Sequence, residues 1–377
     1  MRPSLIRSEE KLIRPRQPRL RFSFLKTVLI NLAITCTLFL CLEISYRVWS
    51  YFRHCDPICH NVAIFTRLDA FNRLKSYGLQ SADPVVGYVP TDGTFVIREP
   101  ERGWNNVTIT IRQGLRINPQ FDPSAPNNPI LAVGDSFVFG DQVSDDETWP
   151  ALLEKRLNRH VANGGVSGYG SLAAVLRAEQ LLKLQPYSLV ILSIVVDEDL
   201  PRDRWVTNFQ GLFYRPNVIS DDGQLRHTSV AESRRIVLDN FLCTHPEIPE
   251  IFFWSHVAKG FFSKFGYDGR CINILHPKAA TEDETLKYVI ERLAALPVKT
   301  AVLIQYPQRC FEGNNIKEAD KIRDLAVHYG VQVIDTYAAI KDKSLRETYI
   351  YAPLLSHHSP IGNGVVADVI ANALEVQ

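Results

Sequence analysis

The stretch Ile130-Leu-Ala-Val-Gly134-Asp135-Ser136-Phe137 carries an apolar run straight into a glycine, an acid and a serine. A serine hydroxyl becomes a useful nucleophile when a base takes its proton and nearby N–H groups hold the oxyanion that forms. Gly134 permits a turn that lifts the serine side chain and bares its backbone N–H. The same tripeptide also serves as an ordinary turn or helix cap. A candidate base stands far along the chain, in Ser356-His357-His358-Ser359-Pro360-Ile361-Gly362-Asn363. Ser359 can cap the helix that follows, and Pro360 suits its first position. His357 then precedes a helix N-terminus, whose positive end favours the neutral ring that a general base needs. Read alone, the pair is better taken as two polar loop histidines. A third stretch, Asn163-Gly164-Gly165-Val166-Ser167-Gly168-Tyr169-Gly170, lets backbone N–H groups approach an oxyanion, or is simply a tight strand-to-helix turn.

Elements of regular period must position these stretches. Residues 130–133, 161–166, 189–196, 301–306 and 331–334 read as strands. The run at 189–196 is continuously apolar, as a strand covered on both faces should be. Residues 148–157, 172–184, 285–296, 317–329 and 360–374 read as amphipathic helices between and after them. This alternation predicts an α/β fold, a three-layer α/β/α sandwich on a parallel sheet of about five strands. Ligands of such sheets bind at the carboxyl ends of the strands, where Ser136 stands. Residues 197–280 interrupt the alternation with a hairpin around Asp221-Asp222-Gly223 and an aromatic patch, Phe252-Phe253-Trp254 with Phe261, Phe262 and Phe265. That insertion reads as a lid, a docking surface or a packing extension.

The order and strand context of the three stretches resemble the SGNH/GDSL hydrolase superfamily. That family has Gly-Asp-Ser in its first block, a glycine in the second, Gly-x-Asn-Asp in the third and Asp-x-x-His near the C-terminus. The resemblance covers roughly residues 130–376 without the insertion, and it implies a flavodoxin-like SGNH sandwich. It implies Ser136 as nucleophile, His357 as base, and the backbone N–H groups of Ser136 and Gly168 as the oxyanion hole, with Asp135 beside them. It further implies a serine esterase or acyltransferase working through an acyl-serine on small-molecule, glycan or lipid esters. No cofactor is implied.

Two positions depart from the family pattern. The third block reads Ser193-Ile-Val-Val-Asp197-Glu198-Asp199, with Glu198 aligned to the family Asn. An amide donates to an oxyanion, whereas an ionised carboxylate repels it. In the last block Leu354 stands where an Asp orients the His; Asp335 and Asp342 are nearby in sequence. These departures keep open a second class of function, a catalytically degenerate glycan-binding or scaffolding protein of the cell envelope. A nucleotide or phosphate binder is a third class, but no GxGxxG or GxxxxGK[ST] pattern follows a strand.

The N-terminal region has a separate logic. Arg2, Arg7, Lys11, Arg14, Arg16, Arg19, Arg21 and Lys26 precede an uncharged run from 27 to 42, and Tyr46, Trp49, Tyr51 and Phe52 follow it. This pattern predicts a basic cytoplasmic tail (1–22), a single transmembrane anchor (23–45) and an extracytoplasmic, periplasmic remainder. No small-x-small cleavage site follows the span. Residues 46–128 read as a membrane-proximal helix near 65–79 and a small β-rich prefix, and 129–377 as the SGNH-like domain. With 42 Lys plus Arg against 41 Asp plus Glu, no net field attracts nucleic acid. Of seven cysteines, Cys36 and Cys41 fall in the span. Cys55–Cys59 and Cys243–Cys271 are possible pairs that leave Cys310 over. Cys55-x3-Cys59-His60 has no matching second half, so no metal site is expected.

Overall fold

The computed structural model describes residues 20–53, 79–99, 104–119, 129–205, 213–221, 223–233, 278–313, 316–341, 350–351 and 357–375. Leu354, Asp342, Cys55, Cys59, Cys243, Cys271, the aromatic patch at 252–265 and the proximal helix up to residue 78 lie outside them. The chain divides into two compact units, 1–59 with 250–265, and 60–249 with 266–377.

The described part of the first unit is helix α1, Leu20–Arg53. Within it Lys26–Ser45 is long and apolar enough to cross a membrane. Its 20 residues rise about 30 Å, the thickness of a bilayer's hydrocarbon core. Among the described residues Val28, Leu29, Leu32, Leu38 and Leu42 are exposed along it.

The second unit is built on a mixed sheet. Its strands are β3 (Gly93–Glu99), β4 (Trp104–Arg112), β5 (Leu115–Arg116), β6 (Ile130–Val133), β7 (Val161–Asn163), β8 (Leu189–Val195), β12 (Lys299–Gln305) and β13 (Gln332–Asp335). Two small sheets supply the remaining numbers: β1 (Gln80–Asp83) with β2 (Gly87–Pro90), and β9 (Val218–Asp221) flanked by β10 (Gln224–His227) and β11 (Lys278–Ala279). The main sheet has eight strands in the order β13-β12-β8-β6-β7-β5-β4-β3. Five of these, β13 to β7, are parallel. The expectation of about five strands thus counts the parallel part alone. The β-rich prefix adds three antiparallel strands to the same sheet, joined through the pairing of Arg116 with Asn163. Periodicity shows that a strand exists, but not which edge it joins.

The side chains of the central strands alternate between two cores. Val190, Leu192 and Ile194 of β8 face one side with Leu131, Val133, Val302 and Ile304. Ile191 and Val195 face the other with Ile130, Ala132, Ala301 and Leu303. Helices cover both sides, which is why β8 is buried throughout. The remaining helices are α2 (Ser136–Phe139), α3 (Trp149–Leu157), α4 (Ser171–Leu182), α5 (Asp199–Asp203), α6 (Glu282–Ala294), α7 (Cys310–Gly313), α8 (Lys317–His328), α9 (Tyr337–Lys341) and α10 (Pro360–Glu375). On the first side, Leu172 and Val175 of α4, Leu286 and Ile290 of α6 and Ile322 of α8 fill the core. On the second, Trp149 and Leu153 of α3 meet Val366 and Ile370 of α10. This is the three-layer sandwich expected from the alternation. Within the insertion, β9 and β10 form the antiparallel hairpin read around Asp221 to Gly223. Cys310 is buried as a free thiol.

Candidate active site

The apolar strand β6 ends at Val133, and the chain turns at once into the single-turn helix α2. Only glycine fits at 134. A Cβ there would lie 2.5 Å from Val138 Cγ2 and 3.0 Å from Ser193 Cβ, and φ is +159°. Asp135 caps α2, its Oδ1 accepting from the N–H of Phe137 at 2.8 Å. Ser136 is therefore the first helical residue at the carboxyl end of a central strand, only 3% exposed. Gly140 closes the turn in the left-handed region at φ +87°.

His357 approaches from the far end of the chain. Ser359 caps the start of α10 by accepting from Gly362 N–H at 3.1 Å, and its own N–H donates to Ile350 at 2.8 Å. This anchoring sets His357 Nε2 2.8 Å from Ser136 Oγ. The other ring nitrogen, Nδ1, lies 3.1 Å from Gln142 Oε1. An amide oxygen can only accept, so Nδ1 carries the proton and Nε2 offers its lone pair to the serine. Gln142 thus occupies the hydrogen-bonding place of the absent acid. It is buried and adopts φ +70°, a backbone region that costs a side-chain-bearing residue about 1–3 kcal/mol. Asp335 does not reach the ring: its carboxylate accepts from Arg323 at 2.7 Å, Tyr306 at 3.2 Å and Tyr337 N–H at 2.8 Å. His358 is a different kind of histidine. It packs against Phe137 and Tyr351, and burial pushes its pKa down to about 3, so it stays neutral.

The loop from Phe139 to Val143, which carries Gln142, is held by an arginine of the antiparallel extension. Arg116 of β5 is fully buried and donates to the carbonyls of Phe139 (2.8 Å), Gly140 (2.7 Å) and Val143 (2.7 Å). Its Nε pairs with Asp145 at 2.8 Å. Burial lowers the pKa of the Arg116 guanidinium, and Asp145 opposes that shift.

The glycine-rich loop after β7 runs beside this turn. Gly164 N–H donates to Ala132 at 2.8 Å and Val166 N–H to Gly134 at 3.0 Å. A Cβ on Gly165 would fall 2.3 Å from the backbone nitrogen of Phe139, so the two loops approach as closely as main chains can. Ser167 Oγ donates to Asp141 at 2.6 Å. Gly168 is left-handed at φ +79°, and its carbonyl accepts from the buried Arg215 at 3.0 Å. The Ser167 carbonyl, which shares its peptide plane with the N–H of Gly168, accepts from the Tyr88 hydroxyl at 3.1 Å, and that bond sets the direction of the N–H.

The third block is organised around Arg202 of α5. Its guanidinium meets Asp135 at 2.7 Å, Asp199 at 3.0 Å and Glu198. Burial works against its charge, but Asp135, Asp199 and Glu198 outweigh that and raise its pKa above the ordinary value. Glu198 also pairs with Arg309 at 2.6 Å. Both carboxylate oxygens of Glu198 face arginines, so the side chain is turned to Arg202 and Arg309 and does not take the place of an amide donor. Asp199 Oδ2 instead accepts from Val195 N–H at 2.8 Å, and burial pushes its pKa well above the usual carboxylate range. Asp135, with Oδ2 at 3.4 Å from Ser136 Oγ, joins this network to the serine.

Among the candidates, the structure brings Ser136, His357 and Asp135 together and sets the Gly168 loop beside them. It directs Glu198 to two arginines. Sequence reading missed Gln142, Arg116 and Arg202. Arg202 had a signal, lying at i+3 and i+4 from two acids on a helix. Gln142 had none, because its partner is 215 residues away.

No protein-family model and no curated protein matches the chain. Among solved structures, a psychrotrophic esterase, EstA, from Pseudoalteromonas sp. matches at 14% identity over 66% of this chain and 98% of its own, with a TM-score of 0.37. A member of the lipolytic protein G-D-S-L family from Veillonella parvula DSM 2008 matches at 15% over 66% and 97%, with a TM-score of 0.35. A two-domain esterase, CEX, active on acetylated mannans, matches at 15% identity over 66% of this chain and 49% of its own, with a TM-score of 0.37. At these identities and TM-scores the matches carry no argument, and the chemistry has to be argued from the site itself.

Proposed function

We propose that the protein is a membrane-anchored serine esterase or O-acyltransferase. The observation that carries this reading is the unbroken relay from Ser136 Oγ through His357 to Gln142, at 2.8 and 3.1 Å. In the proposed reaction Ser136 Oγ attacks an ester carbonyl while His357 Nε2 takes its proton. The N–H groups of Ser136 and Gly168 hold the resulting oxyanion. Collapse expels the alcohol, which receives the proton from His357 and leaves an acyl-serine. Water or an acceptor hydroxyl then repeats the sequence in reverse.

The basic residues before Lys26–Ser45 orient the chain with its N-terminus in the cytoplasm and its larger unit outside. Acylated glycans or lipids of the envelope are the substrates that such a location offers.

The test is fluorophosphonate labelling of the full-length protein in detergent, beside Ser136→Ala and His357→Ala. Labelling of the wild type that is lost in both variants is the expected result. A folded wild type that labels no better than Ser136→Ala would overturn the enzyme and favour a glycan-binding role on the same fold.

A further inference from the structure

An acid hydrogen-bonded to a catalytic histidine does two things. It fixes the tautomer, and it stabilises the positive charge once the ring has taken the serine proton. Gln142 does only the first, because an amide carries no charge. We infer that Asp141 does the second, so that the two tasks are divided between adjacent residues of one loop; this rests on the serine-hydrolase reading above.

The placement of Asp141 supports this division. It sits in the Phe139–Val143 loop that Arg116 clamps by three carbonyls, one residue from the side chain that meets His357. Its carboxylate is fixed by Ser167 Oγ at 2.6 Å, so its charge has a set position. The charged groups around it are His357, from the segment before α10, Arg116 of β5, and Asp135 at the start of α2. Arg116 is engaged with Asp145, and Asp135 with Arg202. Burial raises the pKa of Asp141. Among the influences that oppose burial the charge of His357 is the largest, ahead of the Ser167 hydrogen bond. That attraction is mutual: an anion at 141 favours the imidazolium that forms at 357.

The charge exists for a defined interval. During attack the Oγ–H proton moves to Nε2, the Oγ–C bond forms, and the carbonyl π pair goes to oxygen. During collapse that pair returns, the C–O bond to the leaving alcohol breaks, and the proton passes from Nε2 to the departing oxygen. Asp141 stabilises the ring between these two events and gains or loses no proton itself.

The experiment compares wild type, Ser136→Ala, Asp141→Asn, Ser167→Ala and Asp141→Asn/Gln142→Glu, all full-length in detergent. Fluorophosphonate labelling rates and p-nitrophenyl acetate hydrolysis are followed from pH 5 to 9. Asp141→Asn is expected to lower kcat about 10- to 100-fold. It should also move the acid limb of the kcat/KM profile to lower pH by about half a unit to one unit. The double variant, with the carboxylate moved to position 142, should recover most of both changes. Ser167→Ala, which removes the hydrogen bond but keeps the charge, should cost less than Asp141→Asn. Equal losses in Ser167→Ala and Asp141→Asn, an unmoved acid limb, or no recovery in the double variant would each reduce Asp141 to a structural role. Should Asp141→Asn fail to fold, the Ser167→Ala profile and the labelling rate of Gln142→Glu alone, expected at or above wild type, decide the matter. A wild type that labels no faster than Ser136→Ala would end the hydrolase reading itself, a result distinct from all of these.

Discussion

At the scale of single residues the candidate site turns on how neutral groups and charges are distributed. Gln142 holds His357 by one hydrogen bond from a costly left-handed backbone position. Gln142→Ala removes that bond without touching serine or ring. The expected outcome is a kcat lowered about 10- to 100-fold with KM within about twofold, as for loss of orientation rather than of binding. Steady-state kinetics on a chromogenic ester decides this. Asp203 gives a separate pH prediction. Burial pushes its pKa up to about 6, although Ser171, Arg215 and the N–H of Leu172 pull it down. A carboxyl whose folded pKa is raised holds its proton longer in the folded state than in the unfolded one. Its contribution is therefore most favourable below the ordinary carboxylate pKa, is lost as pH rises from about 4 to 6, and is constant above. Asp203→Asn should flatten that slope, worth at most about 3 kcal/mol, in urea titrations made at pH 4 and pH 7.

At the scale of elements, the antiparallel extension β3–β5 is coupled to the candidate site through Arg116. Its guanidinium ties strand β5 to the turn after α2, and its partner Asp145 is itself buried and also accepts from Thr110 N–H at 3.0 Å. Arg116→Met would strand that carboxylate and four carbonyls, those of Thr108, Phe139, Gly140 and Val143. The expected loss is about 3–5 kcal/mol, read as a lowered denaturation midpoint. Activity should fall further than the lost stability explains, because the loop that aims Gln142 comes free. Gly134→Ala acts on the junction of β6 and α2. Its Cβ would overlap Val138 and Ser193, so it should destabilise by about 1–3 kcal/mol and displace Ser136. Asn363 shows the same coupling in α10. Its amide donates to the carbonyls of His358 and Ser359, while its oxygen accepts from Trp149 N–H, stapling the histidine segment to helix α3.

At the scale of the whole molecule, the larger unit is a double core divided by one sheet, and the first unit contributes a helix with an apolar surface. The proposed orientation predicts that alkaline phosphatase fused after residue 377 is active, whereas a fusion after residue 22 is not. The reverse pattern would overturn the topology and leave the chemistry untouched. Carbonate extraction should leave the full chain in the membrane fraction, and removal of 1–45 should release it.

Much of this was legible in order along the chain. Residues 189–196 read as a strand covered on both faces, and Trp149, Leu152, Leu153 and Leu157 read as one face of a helix, because period follows from local backbone geometry. Ser136 at a strand end and His357 before a helix start were visible for the same reason, as was the apolar run after eight basic residues. Tertiary structure alone decided which of these meet. Ser136 and His357 are 221 residues apart. Their 2.8 Å contact depends on β6 lying at the centre of the sheet and on α10 packing against α3. Gln142 and Arg202 entered the site through packing of loops that have no period to read. The prefix joined the main sheet through a single registered pair, Arg116 with Asn163. Local pattern is set by the residues within a turn or two of each other, whereas a site is set by side chains whose separation only the folded chain determines.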